Sequence, residues 1–163
     1  MMRLVLMRHA KSSWNDPTQD DFDRPLNGRG RSSATALGNW LKDRNYVPDQ
    51  ALVSSSRRTR ETFSRLELTC EAIFLDALYH AAPGAMMAHL KKAAGQTILM
   101  VAHNPGIAWF AQEILVAPPP HSRFFDYPTG ATLVAELSAE NWDAVKPGCG
   151  RALDFIVPRE LTG

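Results

Sequence analysis

Three short apolar runs in this chain end in side chains that could do chemistry. Leu4-Val5-Leu6-Met7 stops at Arg8-His9, Ala51-Leu52-Val53 passes through Ser54-Ser55-Ser56 to Arg57 and Arg58, and Thr97 to Ala102 stops at His103. Planar guanidinium forks match phosphate geometry and stay charged at any physiological pH. An imidazole can attack phosphorus while one ring nitrogen is unprotonated and the other holds its proton against an acceptor. Two imidazoles and at least two guanidiniums brought together would therefore bind a phosphoryl group, one ring attacking and the other donating to the transferring oxygens. Any such site requires the three runs to be neighbouring strands that end on the same side.

The rest of the chain supplies that frame. Continuous apolar runs of four to six residues read as strands covered on both faces of a mostly parallel sheet. Trp14 to Arg24 is polar and acidic and reads as a loop. Asn27 sits as an N-cap before Ala34, Leu37, Trp40 and Leu41, the buried face of a helix ending near Asn45. A helix starts around Arg57 to Arg60, a third strand covers Ala72 to Leu75, and Pro83 opens a helix through Met86, Met87 and Leu90 to Gly95. Pro105 fits the first turn of a helix through Ile107, Phe110, Ala111 and Ile114. Pro118 to Gly130 reads as a surface excursion, and two late strands, Ala131 to Leu137 and Ala152 to Val157, as a hairpin on the sheet edge. The expected fold is α/β, a three-layer α/β/α sandwich with a mostly parallel mixed sheet. Ligands of such sheets bind beyond the carboxyl ends of the strands.

Composition narrows the partners. The 163 residues carry 18 Lys+Arg against 17 Asp+Glu, a net charge of +1, and 45% are apolar. A chain of this size can bury roughly 70% of its unfolded surface without staples. Near-neutral charge argues against whole-protein attraction to nucleic acid or an anionic membrane, so any anion site is local. Cys70 and Cys149 match no metal or redox spacing and read as free thiols. The five histidines include no His-x-His or His-x-x-x-His pair, and arginines beside His9 and His103 would repel a cation, so neither a metal nor another cofactor is expected. Met1 to Met7 is too short for a signal-peptide core, and the apolar stretches are far below a membrane span, so a cytoplasmic protein is expected.

Leu6-Met7-Arg8-His9-Ala10-Lys11 resembles the Arg-His-Gly signature of the histidine phosphatase superfamily, which also contains the phosphoglycerate mutases. The resemblance continues through Arg24-Pro25-Leu26-Asn27-x-x-Gly30, Val53-Ser54-Ser55-x-x-Arg58-x-x-x-Thr62, Val101-x-His103-Asn104-Pro105-Gly106 and Pro158-Arg159-Glu160-Leu161. It covers essentially the entire chain and is greatest for the short SixA-type branch. It implies a phosphoglycerate mutase-like fold, one histidine phosphatase domain over residues 1–163, and a phosphorylated His9 with Arg8, Arg58 and His103 lining the phosphate pocket. Arg58 is favoured over Arg57, which is the fallback, because Ser54-x-x-x-Arg58 sets the register. Two departures stand out: Ala10 where many members carry Gly, expected to be tolerated, and Ser55 where many carry Pro, expected to loosen the turn.

A proton donor is harder to place. Esters expel an alkoxide unless an acid protonates it, and the acids of the relevant region, Glu67, Glu71 and Asp76, match no motif. Asp76, Asp16, Asp21 and His80 remain candidates, His80 also as a pocket-shaping group. Arg24 is either a solvated loop cation or a second-rank phosphate contact. Trp14-Asn15 is either a flap or an anchor for its loop. His89 and His121 read as surface residues, and Gly30 as permitting close helix packing. The SixA resemblance and the lack of a long inserted lid favour hydrolysis of phosphohistidine in proteins by a monomer. The alternatives are a small-molecule phosphomonoesterase or phosphomutase, and a non-catalytic phosphoprotein-binding module.

Overall fold

A computed structural model describes residues 2–163. The apolar runs form strands β1 (Met2–Arg8), β2 (Gln50–Ser54), β3 (Glu71–Leu75), β4 (Thr97–Ala102), β5 (Thr132–Leu137) and β6 (Gly150–Ile156). Between and after them lie helices α1 (Gly28–Asp43), α2 (Arg57–Arg65), α3 (Pro83–Leu90), α4 (Gly106–Ile114) and α5 (Arg159–Thr162). The strands make one sheet in the order β3-β2-β4-β1-β5-β6. The first four are mutually parallel, and β5 and β6 run antiparallel at one edge. The α/β fold with a mixed, mostly parallel sheet is as the sequence predicts.

Two-residue alternation splits each central strand between two cores. Leu4 and Leu6 of β1 and Ile98, Met100 and Ala102 of β4 face Met86, Leu90, Ile107 and Phe110 of α3 and α4. Val5, Met7, Leu99 and Val101 face Leu37, Trp40 and Leu41 of α1. The N-cap reading of Asn27 holds, since its side chain accepts from Gly30 N at 2.8 Å. Gly30 has no room for a side chain: a Cβ there would lie 2.0 Å from Lys11 O. The start of α1 is thus pressed against the chain leaving β1.

Three expectations need correction. Helix α3 stops at Leu90 rather than Gly95. Gly95 instead adopts φ +118°, a conformation L side chains rarely take, in the turn into β4. The stretch from Pro118 to Gly130 is not a surface excursion throughout. Its proline-rich start stays outside, but Phe124 and Tyr127 are among the largest fully buried side chains and pack with Phe155. The buried Tyr127 hydroxyl donates to Leu6 O and accepts from Leu133 N at 3.1 Å, bridging the edges of β1 and β5. His89 and His121 are half-buried rather than surface groups, and His121 packs on Phe155 and pairs with Glu160 at 3.1 Å.

Candidate active site

The register brings the three strand ends together. Arg8 lies opposite Ala102 and Val53 opposite Val101, so His9, Ser54 and His103 leave the sheet at the same level. His9 N donates to Ala102 O at 3.1 Å, and the His9 and His103 rings lie 5.3 Å apart between centroids. His9, Arg58 and His103 are buried, and Arg8 is partly buried.

His9 is held in one tautomer. Its Nδ1 is 2.7 Å from Ala10 O, and a carbonyl can only accept, so the proton sits on Nδ1 and the lone pair on Nε2. Burial, followed by the charges of His103, Arg8 and Arg58, pushes the ring well below the ordinary imidazole range, against the opposing Ala10 hydrogen bond. The ring is therefore neutral at physiological pH. The backbone beside it is clamped from two sides: Gly130 N donates to His9 O at 2.9 Å, and Ala10 N donates to Thr62 Oγ1 at 3.0 Å. Thr62 in turn donates to Arg58 O at 2.7 Å, tying α2 to the end of β1. The Ala10 methyl is accommodated, fully buried with Leu26 and Ala34. The Ser55 hydroxyl in the turn after β2 donates to Asp76.

His103 Nε2 lies 2.8 Å from Ser54 Oγ, and Nδ1 lies 3.4 Å from Arg58 Nη2. Burial, then the positive charge of Arg58, lowers its proton affinity from 6.5 to about 3. A guanidinium can only donate, so Nδ1 carries the lone pair and the ring proton sits on Nε2, donated to Ser54 Oγ. Arg58 donates to Asp21 O at 2.6 Å and to Asp21 Oδ2 at 3.0 Å, while Arg8 donates to Tyr127 O at 3.2 Å. Among the described residues, Nε of both arginines is a buried donor without a protein partner. Such orphans are rare in folded proteins and suit an oxyanion acceptor.

The remaining candidates take other roles. Arg24 is buried, donates to Ser12 Oγ at 2.7 Å and pairs with Asp21 at 3.1 Å, so it is not a solvated loop cation and joins the site through the carboxylate it shares with Arg58. The exposed indole of Trp14 stacks on it at 3.5 Å and anchors the loop. Asp21 gathers Arg58, Arg24 and the Tyr79 hydroxyl, the last at 2.5 Å. These partners outweigh its desolvation and hold its carboxyl far below the usual range, which removes Asp21 as a proton donor. Asp16 is an exposed cap for Thr18, with its carboxyl also held ionised by that hydroxyl. Asp76 is exposed and engaged by Ser55. His80 stacks on Tyr79 at 4.0 Å and, with His103, Asn104 and Trp109, lines a cleft of about 240 Å³ at the mouth of the site.

Asp21 as a partner of Arg58, and Tyr79, are site contacts beyond those the motifs name; Ser54 stands in a motif, but its hydroxyl's contact with His103 is seen only in the structure. A buried guanidinium demands a carboxylate partner, and the run Asp20-Asp21-x-Asp23 offers one for Arg58. Nothing in the sequence marks Tyr79. Among the described residues no group of three or more His, Cys, Asp or Glu side chains is placed to hold a metal ion.

The histidine phosphatase superfamily (branch 1) matches residues 4–82. An uncharacterized protein of Mycobacterium tuberculosis (strain ATCC 25618 / H37Rv) is 32% identical over 163 residues, covering 94% of this chain and 100% of its own. A protein provisionally named as the phosphohistidine phosphatase SixA of Nakamurella multipartitia superposes with a TM-score of 0.87 at 25% identity, over 96% of each chain. The protein histidine phosphatase SixA complexed with tungstate shares the fold, with a TM-score of 0.79 at 22% identity over 98% of this chain and 99% of its own. With these motifs in order along the chain, it belongs to the histidine phosphatase superfamily and is a phosphatase of SixA-type fold.

Proposed function

We propose that the chain hydrolyses phosphohistidine in proteins through a covalent phosphoryl group on His9, with Arg8, Arg58 and His103 holding the phosphoryl oxygens. The observation that carries this reading is the fixed tautomer of His9: Nδ1–H on Ala10 O leaves Nε2 as a neutral nucleophile beside two guanidiniums. Nε2 attacks phosphorus and the substrate's N–P bond breaks. A phosphohistidine whose other ring nitrogen is protonated leaves as neutral imidazole, so no general acid is required. Water then attacks phospho-His9, the new N–P bond breaks, both water protons end on the released phosphate, and His9 returns to its neutral tautomer. Arg8, Arg58 and His103 surround the equatorial oxygens and stabilise their charge in both steps.

The treatment of the carboxylates supports the choice of substrate. Asp21 is held ionised by Arg58, Arg24 and Tyr79, and Asp16 and Asp76 are exposed and hydrogen-bonded elsewhere. Alkyl esters would find no carboxylic acid to give the roughly 10²–10⁴-fold help of proton donation, leaving only His80 at the mouth of the site, whereas the phosphoramidate needs no donor. The SixA resemblance and the tungstate complex of a protein sharing the fold point the same way. Arg24 then acts through Asp21, and His80 shapes the mouth of the site. The corresponding expectation is a monomeric cytoplasmic enzyme that binds neither nucleic acid nor membrane. No described helix is long and apolar enough to cross a membrane.

The test is trapping combined with substrate comparison. Incubation with a labelled phosphohistidine protein should leave an alkali-stable, acid-labile phosphoenzyme that His9→Ala lacks, and kcat/KM for that protein should exceed alkyl phosphates by about 100-fold or more. Label retained by His9→Ala, or a preference for alkyl esters, would overturn the proposal.

A further inference from the structure

A second cleft, of about 410 Å³, lies beside the proposed phosphoryl site, and its walls are strongly basic. Lys11, Arg29, Arg123 and Arg159 line it, together with Ser32 and Thr162, and no carboxylate is among its lining residues. Arg123 is paired with Asp126 at 2.9 Å, whereas Lys11, Arg29 and Arg159 make no ion pair among the described residues. On a chain of net charge +1, this is a local concentration of charge that does not follow from composition. The four cations come from separate parts of the chain, so it is also not the solvated face of one helix.

The cleft is lined by segments that run directly on to the nucleophile and its supports. Lys11 is two residues beyond His9, and Pro128 and Thr129 line the cleft while their neighbours hold the site: Tyr127 O accepts from Arg8 and Gly130 N donates to His9 O. A bound chain advances about 3.3 Å per extended residue, so a few residues flanking a phosphorylated side chain would reach it. All four cations are exposed. Exposed, flexible cations are poorly preorganised for one tightly held small anion, but they suit steering and seating of an acidic surface.

Resting on the phosphoprotein reading above, we infer that this cleft docks an acidic segment of the protein substrate next to its phosphorylated side chain. Recognition is then divided: the guanidiniums of the strand ends take the phosphoryl group, and Lys11, Arg29, Arg123 and Arg159 take carboxylates of the surrounding protein. Protein substrates gain in KM from the second contact, and small phosphoramidates do not.

The experiment compares the wild type with the Arg29→Glu/Arg159→Glu double variant on a phosphohistidine protein with an acidic surface and on phosphoramidate. Arg29→Glu adds a carboxylate in the first turn of α1, where the helix dipole favours it, Arg159 is exposed at the start of α5, and thermal unfolding checks that the double variant is folded. The expected result is a KM for the protein raised about tenfold with kcat kept, unchanged kinetics on phosphoramidate, and a wild-type KM that rises with salt for the protein alone. If the wild type turns over the protein and the double variant has the same KM, the docking inference fails while the phosphoprotein reading stands. If the wild type cleaves phosphoramidate but not the protein, the phosphoprotein reading fails and the docking inference falls with it. Equal losses on both substrates would also refute docking, since they would place the effect in the phosphoryl site.

Discussion

Neutral imidazoles buried beside guanidiniums should make this fold weaken in mild acid, and the size of the effect follows from His103. The residue is 5% exposed, rests on Ser54 and faces Arg58 at 3.4 Å. Burial and then Arg58 displace its proton affinity from 6.5 to about 3. The unfolded chain therefore takes up a proton near pH 6.5 that the folded chain refuses until near pH 3. Stability from this ring is fully present above the unfolded value and declines as the pH falls through that window. At pH 5 the ring alone costs about 2 kcal/mol, from about 1.5 pH units at ~1.36 kcal/mol each. His9, lowered in the same direction by burial, adds a loss of the same sign. Asp21 behaves differently: its depressed carboxyl favours folding above its unfolded value of 3.8 and loses that contribution only below it. The interval from about pH 7.5 to 5 therefore isolates the rings.

Urea unfolding followed by the fluorescence of the four tryptophans measures this directly. The wild type should lose at least ~2 kcal/mol between about pH 7.5 and 5, a large share of the ~5–15 kcal/mol typical of a domain. His103→Asn, which has no titrating ring, should lose about 2 kcal/mol less over the same interval, whatever its stability at the upper end. Equal losses in the two proteins would refute the reasoning, because they would mean that the ring takes up its proton as readily folded as unfolded.

Two further substitutions test how the site is positioned. Asp21→Asn removes the charge that orients Arg58, and because the Asp21 side chain is 44% exposed the pair is discounted to about 1 kcal/mol, or roughly fivefold in kcat/KM; unchanged steady-state kinetics would show that Arg58 holds its place without it. Thr62→Val keeps the shape but leaves the Ala10 N–H without its acceptor, so thermal unfolding should report a loss of about 1–3 kcal/mol together with a lower kcat, both largely restored in Thr62→Ser; a Val variant equal to wild type in both readouts would mean that the clamp is idle.

Residues that follow a strong apolar run are legible in the sequence itself. Arg8-His9 and His103 lie at the ends of β1 and β4, and parallel pairing brings them to one edge. The residues alone leave Arg57 and Arg58 open, and only the family resemblance, through Ser54-x-x-x-Arg58, favours Arg58. The state of each carboxylate is not, because it depends on neighbours far away in sequence. Asp21 looks like a possible acid, yet Arg58 and Tyr79, 37 and 58 residues on, hold it ionised. Tyr127 is hidden differently. Three prolines and polar flanks announce a loop, and nothing local shows that one aromatic of that loop turns inward to bridge β1 and β5. Its φ of 46° is a backbone state that no periodicity argument anticipates.

These long-range ties explain why the cations can be collected at all. Arg8 and Arg58 each lower the proton affinity of both imidazoles, and Arg58 does the same to Arg8, so the collection is self-repelling and must be imposed by the scaffold. The imposition comes from both sides: the Tyr127 to Gly130 segment holds Leu6, Arg8 and His9 from the β5 side, and Thr62 holds Ala10 from α2. Asp21 offsets part of the repulsion but only part. Arg8, Arg58 and Arg24 against Asp21, with Asp126 near Arg8 cancelled by its own partner Arg123 and both rings neutral, leave an excess of two positive charges. On the reading proposed above, a phosphoryl dianion bound here brings two negative charges and acceptors for the unpartnered Nε donors of Arg8 and Arg58. The repulsion stored by assembling like charges in the free protein thereby becomes selectivity for a doubly charged guest, because a neutral or singly charged ligand would leave part of it in place.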